Sequence, residues 1–130
     1  MHILIVDDEE AFTCPIQDLL EDGIPNVSIT TARSGHEAIF LLHCQRFDVV
    51  LTDLHMLPGE TDGIAVIKAA CGVGVPFVYL LTGDSSEEIR VAAIQAGATG
   101  VLSKAHDLFP EEKFLERFRA IEGGLQKDRA

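Results

Sequence analysis

The chain has 130 residues, 47% of them hydrophobic and 24% charged, which describes one ordinary globular domain with its own core. Its net charge is −11, and ten Lys and Arg against 21 Asp and Glu leave no basic cluster to displace counterions from a nucleic acid. No apolar run reaches the ~18 residues that a membrane span needs.

Strand-like apolar runs recur along the chain at 2–6, 27–31, 48–52, 76–81 and 100–103. The N-terminus, Met1-His2-Ile3-Leu4-Ile5-Val6, turns acidic at once and lacks the basic start and cleavage site of a secretory signal, so a cytoplasmic location is expected. A helical stripe follows with Phe12, Ile16, Leu19 and Leu20; Pro15 is tolerated only in a first turn, which predicts a start near Thr13. After the second strand, Ser34-Gly35-His36-Glu37 is a capping-box pattern that opens a helix carrying Ala38, Leu41 and Leu42. The third strand, with Val49, Val50 and Leu51, is uncharged and suits burial on both faces of a parallel sheet; it ends on Asp53. A loop with Pro58, Gly59, Asp62 and Gly63 leads to a helix with Ile64, Ile67 and Cys71. Ser85-Ser86-Glu87-Glu88, a second capping-box pattern, opens a helix with Ile89, Ala92, Ala93 and Ala96. The last helix carries Phe114, Phe118, Ile121 and Leu125. Gly23, Gly72 and Gly97 fall at expected helix ends, and Gly123-Gly124 fits another. Residues 1–125 are expected to form the domain, with 126–130 a tail or the start of a linker.

Five β-α units in succession predict an α/β fold: a doubly wound, five-stranded parallel sheet with helices on both faces. The flavodoxin-like strand order 2-1-3-4-5 is one of the two common solutions and sets strand 1 beside strand 3. Ligands then bind outside the strands' carboxyl ends. There the chain carries Asp7-Asp8-Glu9-Glu10, Asp53, Thr82-Gly83 and Ser103-Lys104. Singly, these read as a helix N-terminus, two turns and a solvated edge. Together, converging carboxylates call for a hard cation such as Mg²⁺, Thr82 offers a hydroxyl, and Lys104 offers a point charge for a phosphate. Those are the parts of phosphoryl transfer, in which an Asp carboxylate serves as nucleophile. Cys14, Cys44 and Cys71 are odd in number and lack a CxxC pair, so they are expected as small reduced hydrophobes. The five histidines form no metal-spaced cluster and are expected to be surface or hydrogen-bonded side chains.

Ile3-Leu4-Ile5-Val6-Asp7-Asp8-Glu9, Asp53, Leu81-Thr82-Gly83 and Ala96-Gly97-Ala98-Thr99-Gly100-Val101-Leu102-Ser103-Lys104 together resemble the response-regulator receiver domains of two-component signalling, across nearly the whole chain. The resemblance implies phosphorylation of Asp53 by a sensor histidine kinase or phosphotransfer protein. Mg²⁺, or Mn²⁺ in its place, would be held by the side chains of Asp8 and Asp53, by Asp7 through water, and by the backbone carbonyl of His55. Thr82 and the N–H of Gly83 would bind the phosphoryl group, with Lys104 paired to it. His55 and Asp84 would set signal lifetime. An output partner is expected, with a second copy of the chain as a candidate partner; the sequence leaves the output and the oligomeric state open. A pseudo-receiver that scaffolds partners without phosphorylation, and a small phosphatase, are the alternatives. Three departures stand out: Ala105 where the family has a proline after its lysine, Val101 where it often has an aromatic, and a loop 54–63 with two extra residues.

Overall fold

A computed structural model describes residues 1–54, 63–83, 86–104, 107 and 110–129. Its elements alternate as β1 (His2–Val6), α1 (Glu10–Gly23), β2 (Ser28–Ala32), α2 (Gly35–Cys44), β3 (Val49–Thr52), α3 (Gly63–Gly72), β4 (Phe77–Thr82), α4 (Glu87–Ala96), β5 (Gly100–Ser103) and α5 (Glu111–Arg129). The strands form one parallel sheet in the order β2-β1-β3-β4-β5, as expected from the alternation. All four residues of β3 are buried, whereas edge strand β2 is largely polar and partly exposed.

Side-chain alternation along the strands divides the interior into two cores. Ile3, Ile5, Val49, Leu51, Tyr79, Leu81 and Leu102 face α1 and α5, where Ile16, Leu20, Phe114, Phe118, Ile121 and Leu125 meet them. Phe114 and Phe118 pack edge to face at 4.9 Å. Leu4, Val6, Val50, Val78, Leu80 and Val101 face α2, α3 and α4, where Ala38, Leu42, Val66, Ile67, Ala70 and Ala93 close the second core. On the first side, Arg119 ties α5 to α1: its Nε and Nη2 donate to the Gly23 carbonyl at 3.3 and 3.2 Å. On the second, Gly97 caps α4 at φ 110°, a left-handed conformation that suits glycine, and the Cys71 thiol donates to its carbonyl at 3.3 Å.

The structure corrects several local expectations. α1 starts at Glu10, not near Thr13, because the Glu9 carbonyl accepts both the N–H and the hydroxyl of Thr13, each at 3.1 Å. Pro15 therefore lies in the second turn, where it forfeits one helical hydrogen bond. Ser34 caps α2 as expected, accepting from Glu37 N–H, but the Glu37 carboxylate reaches back to Arg33 N–H instead of the cap's own. The cap of α4 is Ser86, which accepts from Ile89 N–H at 3.4 Å, so no carboxylate stands at the box position. Val66 and Ala70 join Ile67 in the core from α3, while Ile64 and Cys71 are only partly buried. On α4 only Ala93 is buried. α5 runs straight through Gly123-Gly124, because Phe118, Ile121 and Leu125 hold one buried stripe across the pair. Cys14 and Cys44 are exposed, not packed inside. His2 is hydrogen-bonded at both ring nitrogens, to the Arg46 carbonyl and Thr30 Oγ1, whereas His36 and His43 are exposed.

Candidate functional site

Parallel register brings the carboxyl ends of four strands to one edge. Val6 pairs with Thr52 and Thr82 with Ser103, so Asp7, Asp53, Thr82 and Lys104 emerge there together. The ladder continues one residue past the strands. Asp7 N–H donates to Ala32 O, Asp53 N–H to Val6 O at 2.8 Å, and Lys104 N–H to Thr82 O at 2.9 Å. Backbone this firmly paired fixes where each side chain begins.

Asp7, Asp8 and Asp53 each bring a carboxylate oxygen to within 4.8 Å of the others. Asp7, Asp53 and Thr82 are buried; Asp8 is half-buried. Lys104 enters from the far strand, its Nζ 2.9 Å from Asp7 Oδ2 and 3.4 Å from Asp53 Oδ1. Asp7 Oδ1 accepts Glu9 N–H at 3.0 Å, so this carboxylate also shapes the entry to α1. Burial pushes the Asp53 carboxyl above its ordinary value of 3.8; Lys104 and the Leu54 N–H pull it down and Asp7 pushes it further up. Burial alone would lower the Lys104 ammonium, but its bonds to Asp7 and Asp53 outweigh that and raise it above 10.5. Three carboxylates against one ammonium leave the site an excess of negative charge held on hard oxygen donors. That donor set fits Mg²⁺, which takes one or two carboxylates and fills its remaining positions with water and phosphate oxygens.

Of the residues singled out from the sequence, Asp7, Asp8, Asp53, Thr82 and Lys104 meet here, and Gly83 lies exposed directly after Thr82. His55, Asp84, Ala105 and most of loop 54–63 lie outside the described residues. Three supporting residues were not legible as such. Thr52, fully buried, donates its hydroxyl to the Asp53 carbonyl at 3.0 Å. Gly63 lets α3 start against that same carbonyl: a Cβ there would lie 2.1 Å from Asp53 O. Its position beyond a turn-rich loop marked it only as a turn residue. Asp107 accepts Ser103 N–H on Oδ2 at 2.6 Å and returns its own N–H to Ser103 O at 2.9 Å. Among the cavities, one of about 120 Å³ adjoins Asp7 between Thr13, Cys14, Gln17 and Arg33. Another, of about 680 Å³, opens at the opposite edge of the sheet near Arg46, Phe47 and Pro76, away from the acidic cluster.

A parallel sheet of this order, with an acidic cluster and a lysine at its carboxyl edge, is the arrangement of a flavodoxin-like α/β domain with a site suited to phosphate chemistry. The response regulator receiver domain family matches residues 3–116, and the chain belongs to it. It is 37% identical over 119 residues to the transcriptional regulatory protein ZraR of Salmonella typhimurium, covering 90% of this chain and 26% of that protein. It is 34% identical over 123 residues to the response regulator MprA of Mycolicibacterium vanbaalenii, covering 93% of this chain and 50% of the relative. The chain thus spans a quarter to a half of the length of these curated relatives. In structure it superimposes on the chemotaxis protein CheY4 of Vibrio cholerae with a TM-score of 0.78 at 27% identity, covering 92% of this chain and 97% of that one. Membership places the chain in phosphorylation-dependent two-component signalling. Receiver domains of this kind interact with histidine kinases or phosphotransfer proteins and generally bind Mg²⁺ at an acidic pocket. Among the described residues, no helix is long and apolar enough to cross a membrane.

Proposed function

We propose that Asp53 accepts a phosphoryl group from a phosphohistidine of a sensor kinase or phosphotransfer protein, and that the acyl phosphate is the signal. The observation that carries this reading is the placement of a buried Asp53 carboxylate at the sheet edge with Lys104 Nζ 3.4 Å away and two further carboxylates beside it. An Asp53 oxygen attacks phosphorus as the P–N bond to the donor imidazole breaks, and the departing nitrogen keeps the electron pair and takes a proton. Asp8 and Asp53 would hold Mg²⁺ directly and Asp7 would act through water; the cation would neutralise charge on the transferring oxygens. Lys104 leaves its bonds to Asp7 and Asp53 to pair with one phosphoryl oxygen, as a flexible point charge can. The Thr82 hydroxyl and the Gly83 N–H would bind the others, and the His55 carbonyl would be a further ligand of the cation. Low solvent access at Asp7, Asp53 and Thr82 strengthens the contacts those residues make.

Incubation with acetyl phosphate and Mg²⁺ should add one phosphoryl group to the intact mass, and Asp53→Asn should abolish the gain. The same gain in the variant would refute the assignment. No gain in the parent would favour a phosphorylation-independent interaction module, and continuous release of inorganic phosphate from other monoesters would favour a phosphatase.

A further inference from the structure

Lys104 sits on a turn that lacks the proline expected after it, Ala105 standing in that place. Yet its ammonium reaches both Asp7 and Asp53. Something else must hold the turn. Toward β4 the restraint is the Lys104 N–H on the Thr82 carbonyl. Toward α5 it is Asp107. Its carboxylate takes Ser103 N–H at 2.6 Å, and its N–H returns to Ser103 O at 2.9 Å. Both hydrogen bonds close on Ser103, the residue immediately before the lysine, and Lys104 is enclosed between the two ends of the clamp. Ser103 is itself buried as the last residue of β5, so its N–H has a strong need for an acceptor. A carboxylate acceptor gives a shorter, stronger bond than a neutral one.

From this geometry we propose that Asp107 is a positioning residue for Lys104. It sets the point from which the long, flexible lysine side chain reaches the phosphoryl site, and it does so by a charge-assisted side-chain clamp instead of a rigid ring. The proposal rests on the phosphoacceptor reading given above, but the clamp has a readout of its own. Among the described residues Asp107 touches none of the carboxylates of the acidic cluster, so its removal takes no ligand from the cation and acts through the lysine.

The experiment compares Asp107→Ala, Asp107→Asn and Lys104→Ala, singly and with Asp107→Ala combined with Lys104→Ala. Acetyl phosphate supplies the phosphoryl group, and intact mass follows the rate. A misplacement on the scale of 1 Å costs up to roughly a hundredfold in such a step, so Asp107→Ala should be slower by about tenfold or more. Mg²⁺ affinity should not fall, because a displaced Lys104 ammonium competes less with the cation for Asp7 and Asp53. Asn keeps an acceptor oxygen and should recover most of the rate. In the Lys104→Ala background, Asp107→Ala should cost nothing further, because the effect passes through the lysine. Additive losses in the double variant, a parent-like rate in Asp107→Ala, or a matching loss of Mg²⁺ affinity would each overturn the proposal. If Asp107→Ala fails to fold, Asp107→Glu keeps the charge while moving the carboxylate by one methylene, and it too should slow the reaction. The ¹⁵Nζ and ¹³Cε shifts of Lys104 supply the independent readout: they should move in Asp107→Ala and return in Asp107→Asn. A parent inert to the donor would refute the phosphoacceptor reading, while unmoved lysine shifts would refute the positioning role.

Discussion

Replacing Gly63 by alanine tests how tightly the backbone behind Asp53 is built. A Cβ at residue 63 would lie 2.1 Å from the Asp53 carbonyl oxygen, 2.9 Å from Leu54 Cα and 3.0 Å from the Asp53 carbonyl carbon. All three are backbone atoms, so no side chain can swing away. Heavy atoms touch at about 3.5 Å, so α3 and the Asp53 carbonyl oxygen must separate by about 1.4 Å. The Gly63 N–H bond to Leu54 O, at 3.1 Å, would stretch with them. Alanine favours a helix over glycine by ~0.5–1 kcal/mol, and overpacking costs ~1–3 kcal/mol, leaving a net loss of about 1–2 kcal/mol. A displacement of this size at the proposed phosphoacceptor should slow phosphorylation by at least about tenfold. Urea denaturation gives the stability, and a mass time course with acetyl phosphate gives the rate. Gly123→Ala is the control: it lies within α5, and nothing lies within 4 Å of its added Cβ. The same substitution there should stabilise by ~0.5–1 kcal/mol and leave the rate unchanged. A Gly63→Ala protein that denatures and phosphorylates like the parent would refute the steric argument. One that is destabilised but phosphorylates at the parent rate would refute the link from that contact to the chemistry.

Three further outcomes follow from the site. Asp8→Ala should weaken Mg²⁺ binding at least tenfold, about 1.4 kcal/mol, in a direct titration; unchanged affinity would remove Asp8 from the cation's ligands. Because burial raises the Asp53 carboxyl above 3.8, the folded chain holds that proton more tightly than the unfolded one. Stability due to this group therefore falls as pH rises from 3.8 through the raised value, so in metal-free buffer Asp53→Asn should gain on the parent across that window. Added Mg²⁺ should shrink the gain by stabilising the parent, and parallel stability profiles with and without Asp53 would contradict the burial argument. Finally, beryllofluoride should perturb amide shifts in residues 83–95 more than at Val101, which is already buried and is β-branched with few rotamers. Changes centred on Val101 with α4 silent would count against this, and changes concentrated in 55–63 would assign the response to that loop.

Much of this architecture is legible in the chain. Uncharged Val49-Val50-Leu51 and the apolar stripe of Phe114, Phe118, Ile121 and Leu125 announce a doubly covered strand and a one-sided helix, and both stand as expected. The acidic cluster is equally legible, because parallel strands must deliver their carboxyl ends to one edge. What local pattern misses is governed by tertiary contact. Packing carries α5 through Gly123-Gly124 against their intrinsic preference. A hydrogen-bonded Glu9 carbonyl lets α1 start before Pro15. Gly63 reads as one more turn residue until the Asp53 carbonyl is seen beside it. Asp107 carries no motif of its own, since its role depends on an N–H four positions earlier in the fold's path.

The two cores divide the molecule's freedom of movement. They share only the sheet between them, so the helices of one side can adjust without repacking the other. The Arg119 bonds to the Gly23 carbonyl tie α5 to α1, and Phe114 and Phe118 fill the core beneath them. The opposite side holds α4 by the buried Ala93, the partly buried Ile89 and Ala96, and the Cys71 thiol bond to the Gly97 carbonyl at its end. Thr82 closes the strand that both layers grip, one residue from the exposed Gly83. Lesions in the first layer should therefore lower stability with the signalling balance intact. Lesions at the partly buried Ile89 and Ala96 of α4 should shift that balance at less cost in stability, which makes the two classes separable in a single mutant survey.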